Sequence, residues 1–170
     1  MPRLHPQILL LRHGIAEERS PDRPDERRAL TPAGRRRTSA VLERAVAIGL
    51  RVDRLITSPL LRARQTAEIA LATGLTPAVE LATALEPGAD PLPFLPLWLA
   101  GAAVADGGGP QARRVALVGH EPDLGELAAR LVGAPAGSIT LRKAGLALLE
   151  QAPGGEWLLR LLLTPRALLS

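Results

Sequence analysis

Three short segments of the sequence carry side chains that suit the handling of a phosphoryl group. They are Arg12-His13-Gly14, Arg62 within Ser58-Pro59-Leu60-Leu61-Arg62, and Gly119-His120. A neutral imidazole nitrogen is a nucleophile, and a reference pKa of about 6.5 leaves histidine largely unprotonated at pH 7. Guanidinium groups are planar forks that match phosphate oxygens. We predict that His13 is the nucleophile. The groups predicted to hold the phosphoryl oxygens are Arg12, Arg62 and His120.

Each of these segments directly follows a short apolar run that is typical of a buried strand. The three predicted strands are Gln7–Leu11, Arg54–Thr57 and Arg114–Val118. In open α/β sheets, ligands bind beyond the carboxyl ends of the strands. If the three strands are parallel and adjacent, the two histidines and the arginines converge on one point. Helix starts at Pro59 and Pro122 are expected to add free N–H groups there.

The remaining pattern alternates strands with amphipathic helices, which is typical of βαβ units. We predict a three-layer α/β/α fold with a mostly parallel central sheet, formed by a single domain over residues 1–170. Helices are predicted to start at Thr31-Pro32, at Ser58-Pro59 (ending near Ala72), at Asp90-Pro91, and after Pro122 (ending near Val132). A third strand is predicted at Ala78–Leu81, a flexible connector at 105–111, and a closing antiparallel pair at Ile139–Glu150 and Trp157–Leu163.

The composition excludes several other kinds of chemistry. The 170 residues include no cysteine, so thiol catalysis and cysteine-ligated metals are ruled out. Lys143 is the only lysine among 21 basic residues, and no Gly-rich loop ends in Gly-Lys-Ser/Thr. The sequence therefore lacks the loop that cradles the phosphates of a nucleotide in P-loop proteins. The uncharged tract from Pro91 to Ala105 is shorter than the roughly 20 residues that span a bilayer. We therefore expect no membrane role and a cytoplasmic location.

The excess of arginine also raises the alternative of a nucleic-acid-binding or anion-binding module. The net charge is only +4, however, and the basic residues are mixed with acidic ones. Phe94, Trp98 and Trp157 are the only aromatic residues, which offers few platforms for base stacking. The run Arg35–Arg37 is typical of a solvated helix face, with the docking of an acidic partner as the alternative. We expect no nucleic-acid partner; steep loss of affinity for DNA or RNA with added salt would contradict this.

Taken together, the motifs resemble the histidine phosphatase superfamily, which has the phosphoglycerate-mutase-like fold. The resemblance is carried by Leu11-Arg12-His13-Gly14, by Ser58-Pro59-x-x-Arg62-Ala63-x-Gln65-Thr66, and by Gly119-His120. Two further segments and the short chain resemble the small SixA-like phosphohistidine phosphatases. These segments are Asp25-x-x-Arg28-Ala29-Leu30-Thr31-x-x-Gly34 and Val118-Gly119-His120-Glu121-Pro122.

This resemblance implies a two-step transfer with no metal and no cofactor. His13 would carry a transient phosphoryl group, and water would then release phosphate. The implied substrate is a phosphorylated histidine-phosphotransfer protein of a two-component relay; the alternative is a general phosphomonoesterase for small phosphorylated metabolites. Branches of the family that cleave esters use an acidic residue to protonate the leaving oxygen. Glu86 is the nearest candidate here and Asp90 a weaker one, so the identity of the acid stays open.

Overall fold

Apolar side chains cover both faces of a central β-sheet, and this sheet places the strand ends described above. A computed structural model of the chain describes residues 5–100 and 114–170. The strands within these ranges are β1 (Gln7–Arg12), β2 (Arg54–Thr57), β3 (Val79–Leu81), β4 (Arg114–Gly119), β5 (Leu146–Gln151) and β6 (Trp157–Leu163). They form one six-stranded sheet in the order β3-β2-β4-β1-β5-β6. The first four strands in this order are parallel, and the last two pair antiparallel.

Helices cover the two faces of this sheet. The described helices are α1 (Pro32–Ala47), α2 (Leu61–Ala72), α3 (Leu95–Ala100), α4 (Asp123–Val132) and α5 (Pro165–Leu169). Because side chains alternate along a strand, Ile8 and Leu10 of β1 pack on the α3 and α4 side. Leu9 and Leu11 pack on the opposite side with α1, α2 and α5. The prediction of a three-layer α/β/α fold with a mostly parallel sheet is confirmed.

Helix α1 begins as the sequence predicts. Thr31 is its N-cap, and the side-chain oxygen of Thr31 accepts a hydrogen bond from the backbone N of Gly34 at 2.9 Å. Pro32 occupies the first helical position, where its missing N–H costs no hydrogen bond. The three strands that lead into the candidate site also lie where their apolar runs place them.

The predicted start of α2 is wrong by two residues. The helix begins at Leu61, and its N-cap, Leu60, makes no side-chain capping bond. The residue at the predicted start, Ser58, has a hydroxyl of the kind that caps helices. This hydroxyl is instead 2.8 Å from Nε2 of His120 and accepts a bond from the backbone N of Leu60 at 3.3 Å. A tertiary contact with the end of β4 therefore replaces the local cap.

The predicted strand from Ile139 to Glu150 is also too long, because β5 begins only at Leu146. Before it, the chain turns: the backbone N of Gly145 donates to the carbonyl of Arg142 at 2.7 Å, and Ala144 has a φ of 59°. The N–H of Ala144 lies 3.1 Å from the carbonyl oxygens of both Arg12 and His13. The residues before β5 thus form a turn against the end of β1.

The predicted strand Trp157–Leu163 and the predicted helix from Pro122 to about Val132 are confirmed. The remaining predicted elements are shorter than expected or lie outside the described residues. The third strand covers Val79–Leu81, and the helix expected after Asp90-Pro91 consists of a 3₁₀ turn at Leu92–Phe94 followed by α3. The connector predicted at 105–111 is outside the described ranges, and the single domain over 1–170 stays a prediction. Across residues 5–100 and 114–170, no helix has the length and apolar character to cross a bilayer.

Candidate active site

The three predicted strand ends meet at one edge of the sheet. β4 lies between β1 and β2, so their carboxyl ends are neighbours. Backbone bonds join the segments that follow them. The N of His13 donates to the carbonyl of Gly119 at 3.1 Å, and the N of Ser58 donates to the carbonyl of Val118 at 3.0 Å. The arrangement required for the histidines and arginines to converge is therefore present.

A cavity of about 300 Å³ opens at this edge, and we call it the catalytic cavity. Its walls hold all four residues predicted to handle the phosphoryl group, together with further charged residues from several segments. Its lining residues are Arg12, His13, Glu18, Arg19, Asp25, Arg28, Arg62, Pro87, His120, Glu121 and Lys143.

Two hydrogen bonds define the protonation of His13. Its Nδ1 lies 2.7 Å from the carbonyl oxygen of Gly14, and because a carbonyl only accepts, Nδ1 carries the hydrogen. Nε of Arg62 lies 3.3 Å from Nε2 of His13 and can only donate, so Nε2 presents its lone pair. Burial lowers the pKa of His13 to about 3, and the positive charges around it act in the same direction. His13 is therefore a neutral imidazole whose Nε2 keeps the lone pair that a nucleophile needs and accepts a hydrogen bond from Arg62.

His120 lies beside His13, with 5.2 Å between the ring centroids. Its Nε2 is 2.8 Å from the hydroxyl oxygen of Ser58. Burial, helped by the charge of Arg62, lowers the pKa of His120 to about 4, so this ring is neutral at pH 7. Its Nδ1 is buried and has no hydrogen-bond partner among the described residues. His120 is therefore suited to hold a phosphoryl oxygen as a neutral hydrogen-bond donor and not as a cation.

Arg62 is 3% exposed and is held by Asp25. The two terminal nitrogens of Arg62 donate to the backbone oxygen of Asp25 at 2.9 Å and to its Oδ2 at 3.0 Å. Oδ1 of Asp25 accepts from Nε of Arg28 at 2.8 Å. Burial alone would raise the pKa of Asp25, but the charges of Arg62 and Arg28 outweigh it and lower this pKa. Asp25 is thus an ionised anchor for two arginines of the cavity.

Arg12 is fixed through its guanidinium at the end of β1. One terminal nitrogen donates to the carbonyl of Leu141 at 3.0 Å, in the segment that precedes β5. Its buried Nε has no partner among the described residues. The turn before β5 also brings the only lysine, Lys143, to the cavity wall. The segment before β5 therefore holds the side chain of Arg12 and contributes Lys143 to the cavity.

Gly14 is required by a close approach of the chain rather than by an unusual backbone angle. A Cβ at Gly14 would lie 2.2 Å from the hydroxyl oxygen of Thr38 in α1. The backbone N of Gly14 donates to the hydroxyl oxygen of Thr66 in α2 at 3.0 Å, and that hydroxyl donates to the carbonyl of Arg62 at 2.8 Å. The residue after His13 is thus packed against both helices, which fixes the loop that carries the imidazole.

Glu86, the candidate general acid, is not among the residues that line the catalytic cavity, although the adjacent Pro87 is. Asp90, the weaker candidate, pairs with Arg130 at 2.9 Å and lies outside this lining. Glu121 does line the cavity, and burial raises the pKa of its carboxyl against an opposing hydrogen bond from Gly125 N–H. Glu121 is therefore a carboxyl of this cavity whose tendency to hold a proton is raised.

Asp25, Arg28 and Glu121 stand in the sequence motifs without a predicted role, and Lys143 stands out in the sequence only as the single lysine. The spacing Asp25-x-x-Arg28 was the available signal for the first pair. Glu121 directly follows His120, but nothing in a lone sequence shows that its side chain turns into the same cavity.

Within residues 5–100 and 114–170, no group of three His, Asp or Glu side chains is placed to hold a metal ion.

Comparison with known proteins agrees with this geometry. Residues 8–86, which include Arg12, His13 and Arg62, match the model of the histidine phosphatase superfamily (branch 1). The chain belongs to the histidine phosphatase superfamily. It is also 41% identical over 141 residues to an uncharacterized protein of Picosynechococcus sp., and the match covers 82% of each chain.

Two solved structures of SixA proteins are similar to this chain. SixA from Agrobacterium tumefaciens is 25% identical, with a TM-score of 0.73 and coverage of 94% of this chain and 97% of that one. A protein histidine phosphatase SixA complexed with tungstate is 23% identical, with a TM-score of 0.77 and coverage of 95% and 99%. The second match shows a shared fold. Together, the superfamily match and the first of these structures identify the chain as a hydrolytic phosphatase.

Proposed function

We propose that this phosphatase removes the phosphoryl group from a phosphohistidine side chain of a histidine-phosphotransfer protein. The observation that carries the proposal is the state of His13: Nδ1 bonds to Gly14, and Nε2 presents a lone pair toward Arg62 inside a cationic cavity. Nε2 attacks phosphorus, the P–N bond of the substrate breaks, and the leaving imidazole takes up a proton. Water then attacks the phosphorylated His13, phosphate leaves, and Nε2 regains its lone pair.

Arg12, Arg62 and His120 hold the phosphoryl oxygens in both steps. The hydroxyl oxygen of Ser58 already accepts from Leu60 N–H, so its own hydrogen can be donated to Nε2 of His120. In that tautomer Nδ1 of His120 carries a hydrogen and can donate to a phosphoryl oxygen. Nε of Arg12 is a second donor without a partner among the described residues. Donors fixed in advance stabilise the charge on the equatorial oxygens without reorganising during the reaction.

The proposal assigns the proton donation to Glu121. Its raised pKa keeps a larger fraction of the carboxyl protonated than in an ordinary glutamate. The demand on this donor is small for phosphohistidine, because the leaving imidazole is easily protonated, and larger for an ester, whose leaving alkoxide is strongly basic. Glu86 stays the alternative donor, and comparing Glu86→Gln with Glu121→Gln on ester substrates separates the two assignments.

A protein substrate also fits the mouth of the cavity. Its inner groups, His13, Arg62 and His120, are buried, while Glu18 and Arg19 at its wall are exposed. Residues 91–100 contribute no lining residue, and residues 101–105 lie outside the described ranges. The described part of this segment therefore leaves the inner groups within reach of a side chain that projects from a protein surface.

Trapping the phosphorylated enzyme tests the chemistry. The enzyme is mixed with a phosphotransfer domain labelled on its phosphohistidine and quenched in alkali, where phosphohistidine survives, and the label is mapped. We expect the label on His13. We expect His13→Ala to lose the label and to lower kcat by about three powers of ten or more. His5→Ala is the matched control, since His5 is the one histidine outside the cavity. Label that persists in His13→Ala would disprove the assignment of the nucleophile.

The choice of substrate is tested by comparing kcat/KM on the phosphorylated domain with kcat/KM on a panel of sugar and nucleoside phosphates. We expect turnover of the phosphoprotein to exceed that of every ester. Efficient ester hydrolysis together with an inert phosphoprotein would instead identify a general phosphomonoesterase for small metabolites.

A further inference from the structure

A second, larger cavity lies beside the catalytic cavity and is strongly basic. Its volume is about 570 Å³, and we call it the basic groove. Five of its eight lining residues are cations and none is acidic. The cations are Arg12, Arg37, Arg142, Lys143 and Arg166.

These cations come from separate parts of the chain. Arg37 belongs to α1, Arg166 to α5, and Arg142 to the turn before β5. Helices α1 and α5 pack against each other, and this contact brings Arg37 and Arg166 to one groove. Of the run Arg35–Arg37, only Arg37 lines the groove, so the cluster is built by the tertiary fold and not by a local basic run.

The charge of the basic groove is not neutralised within the described residues. Arg37, Arg142, Lys143 and Arg166 all have exposed side chains. None of the four takes part in an ion pair inside residues 5–100 and 114–170. Like charges gathered in one groove repel one another, and an anionic partner relieves that repulsion. Such a patch attracts and orients an acidic surface.

The basic groove is continuous with the site of the reaction, because Arg12 and Lys143 line both cavities. An occupant of the groove therefore lies directly beside a phosphoryl group held at His13. The groove has nearly twice the volume of the catalytic cavity and also carries apolar surface, including Ile15, which is 37% exposed. A mixed apolar and cationic groove fits a protein segment better than it fits a second phosphate.

We propose that the basic groove docks an acidic surface of the phosphohistidine protein, next to the histidine that is dephosphorylated. The inference rests on the proposed function and adds to it the charge of the partner. Docking through the groove raises the local concentration of the phosphohistidine at the catalytic cavity. It acts on substrate recognition and leaves the chemical step at His13 unchanged.

Charge reversal in the groove tests this proposal. The double variant Arg37→Glu/Arg166→Glu is compared with wild type on a phosphorylated, acidic histidine-phosphotransfer domain and on the small substrate p-nitrophenyl phosphate. Arg36→Glu/Arg35→Glu is the matched control, because it makes the same change of charge on exposed arginines of α1 that do not line the groove. All variants are first checked for equal thermal stability.

With the double variant, we expect kcat/KM for the phosphoprotein to fall by about 10–100-fold at low salt, mainly through KM. The difference should shrink at about 0.5 M salt, where surface charges are screened. Activity on p-nitrophenyl phosphate should stay within about twofold. The control pair should lose less than about threefold on either substrate.

The outcomes separate this inference from the proposed function. If wild type does not dephosphorylate the domain at all, the proposed function is wrong. If wild type is active and the groove variant matches it, or if the control pair loses as much, the groove is not the docking site. Loss on p-nitrophenyl phosphate with the phosphoprotein unaffected would mean that the groove serves small anionic substrates, which also overturns the proposal.

Discussion

The buried histidines make a quantitative prediction about how stability depends on pH. The pKa values of His13 and His120 in the folded protein are lowered to about 3 and about 4, against about 6.5 in an unfolded chain. Between these values the unfolded state binds protons that the folded state does not. The stability that these groups contribute is therefore present above pH 6.5 and is lost as the pH falls from 6.5 toward the folded values.

The size of the effect follows from these pKa values. When the pH is lowered from 7.5 to 5, it falls about 1.5 units below the pKa of a histidine in the unfolded chain, which becomes protonated. Both histidines of the folded protein stay neutral at pH 5. Each unit corresponds to about 1.4 kcal/mol, so each histidine should lower the free energy of unfolding by about 2 kcal/mol over this range. Together they remove about 4 kcal/mol, a large part of the 5–15 kcal/mol that is typical of a domain.

Urea denaturation followed by circular dichroism at pH 7.5 and pH 5 measures this loss. Glutamine does not titrate, so His13→Gln should lose about 2 kcal/mol less than wild type over the same interval, and so should His120→Gln. Other titrating groups are common to the three proteins and cancel in the comparison. If wild type and both variants lose equal stability, or if NMR titration of the folded protein finds either histidine near 6.5, burial does not set these pKa values and the reasoning fails.

Three further substitutions test residues that hold or assist the groups of the catalytic cavity. Asp25→Asn should lower kcat/KM by about 10–100-fold, because a charged hydrogen bond to the buried guanidinium weakens; steady-state kinetics measure this, and unchanged rates would contradict the anchoring role. Gly14→Ala should cost about 1–3 kcal/mol of unfolding free energy in urea titrations, and adding Thr38→Ala should recover part of it, since the clash is with that hydroxyl. Glu121→Gln should slow ester hydrolysis more than dephosphorylation of phosphohistidine, as seen from kcat on the two substrates; equal slowing would argue against proton donation.

The strand ends could be predicted from the sequence because each strand is a short apolar run that stops at polar residues. β2 covers the predicted range Arg54–Thr57, and β1 and β4 each extend one residue further, to Arg12 and Gly119. Because β1 and β4 are parallel neighbours in the sheet, their carboxyl ends lie side by side. The pattern of apolar runs that stop at polar residues therefore places His13 and His120 near each other. The cap of α1 could also be predicted, because Thr31 bonds to a backbone N only three residues away.

Two wrong predictions and one missed role share a physical cause, which is bonding to residues far away in the chain. Ser58 has the sequence context of a helix cap, but its hydroxyl bonds to His120, 62 positions away. The segment before β5 has an apolar pattern, but its backbone bonds to the end of β1 and forms a turn. The role of Asp25 depends on Arg62, 37 positions away. A local pattern in one sequence carries no information about such partners.

The balance of charge in the catalytic cavity explains how His13, the proposed nucleophile, can stay neutral. The lining holds five cations and three carboxyl groups, a balance of +2 when all are ionised, and +3 when Glu121 holds a proton. A phosphoryl group carries about −1.5 to −2 at pH 7. Because arginines and the lysine supply the opposing charge, neither histidine has to be protonated to bind it. Nε2 of His13 can therefore keep its lone pair, which accepts from Arg62, while the cavity binds a phosphoryl group. Arg62→Lys would keep the balance of charge and lose the planar fork that donates to His13 and Asp25, so a loss of activity in that variant would be a loss of geometry and not of charge.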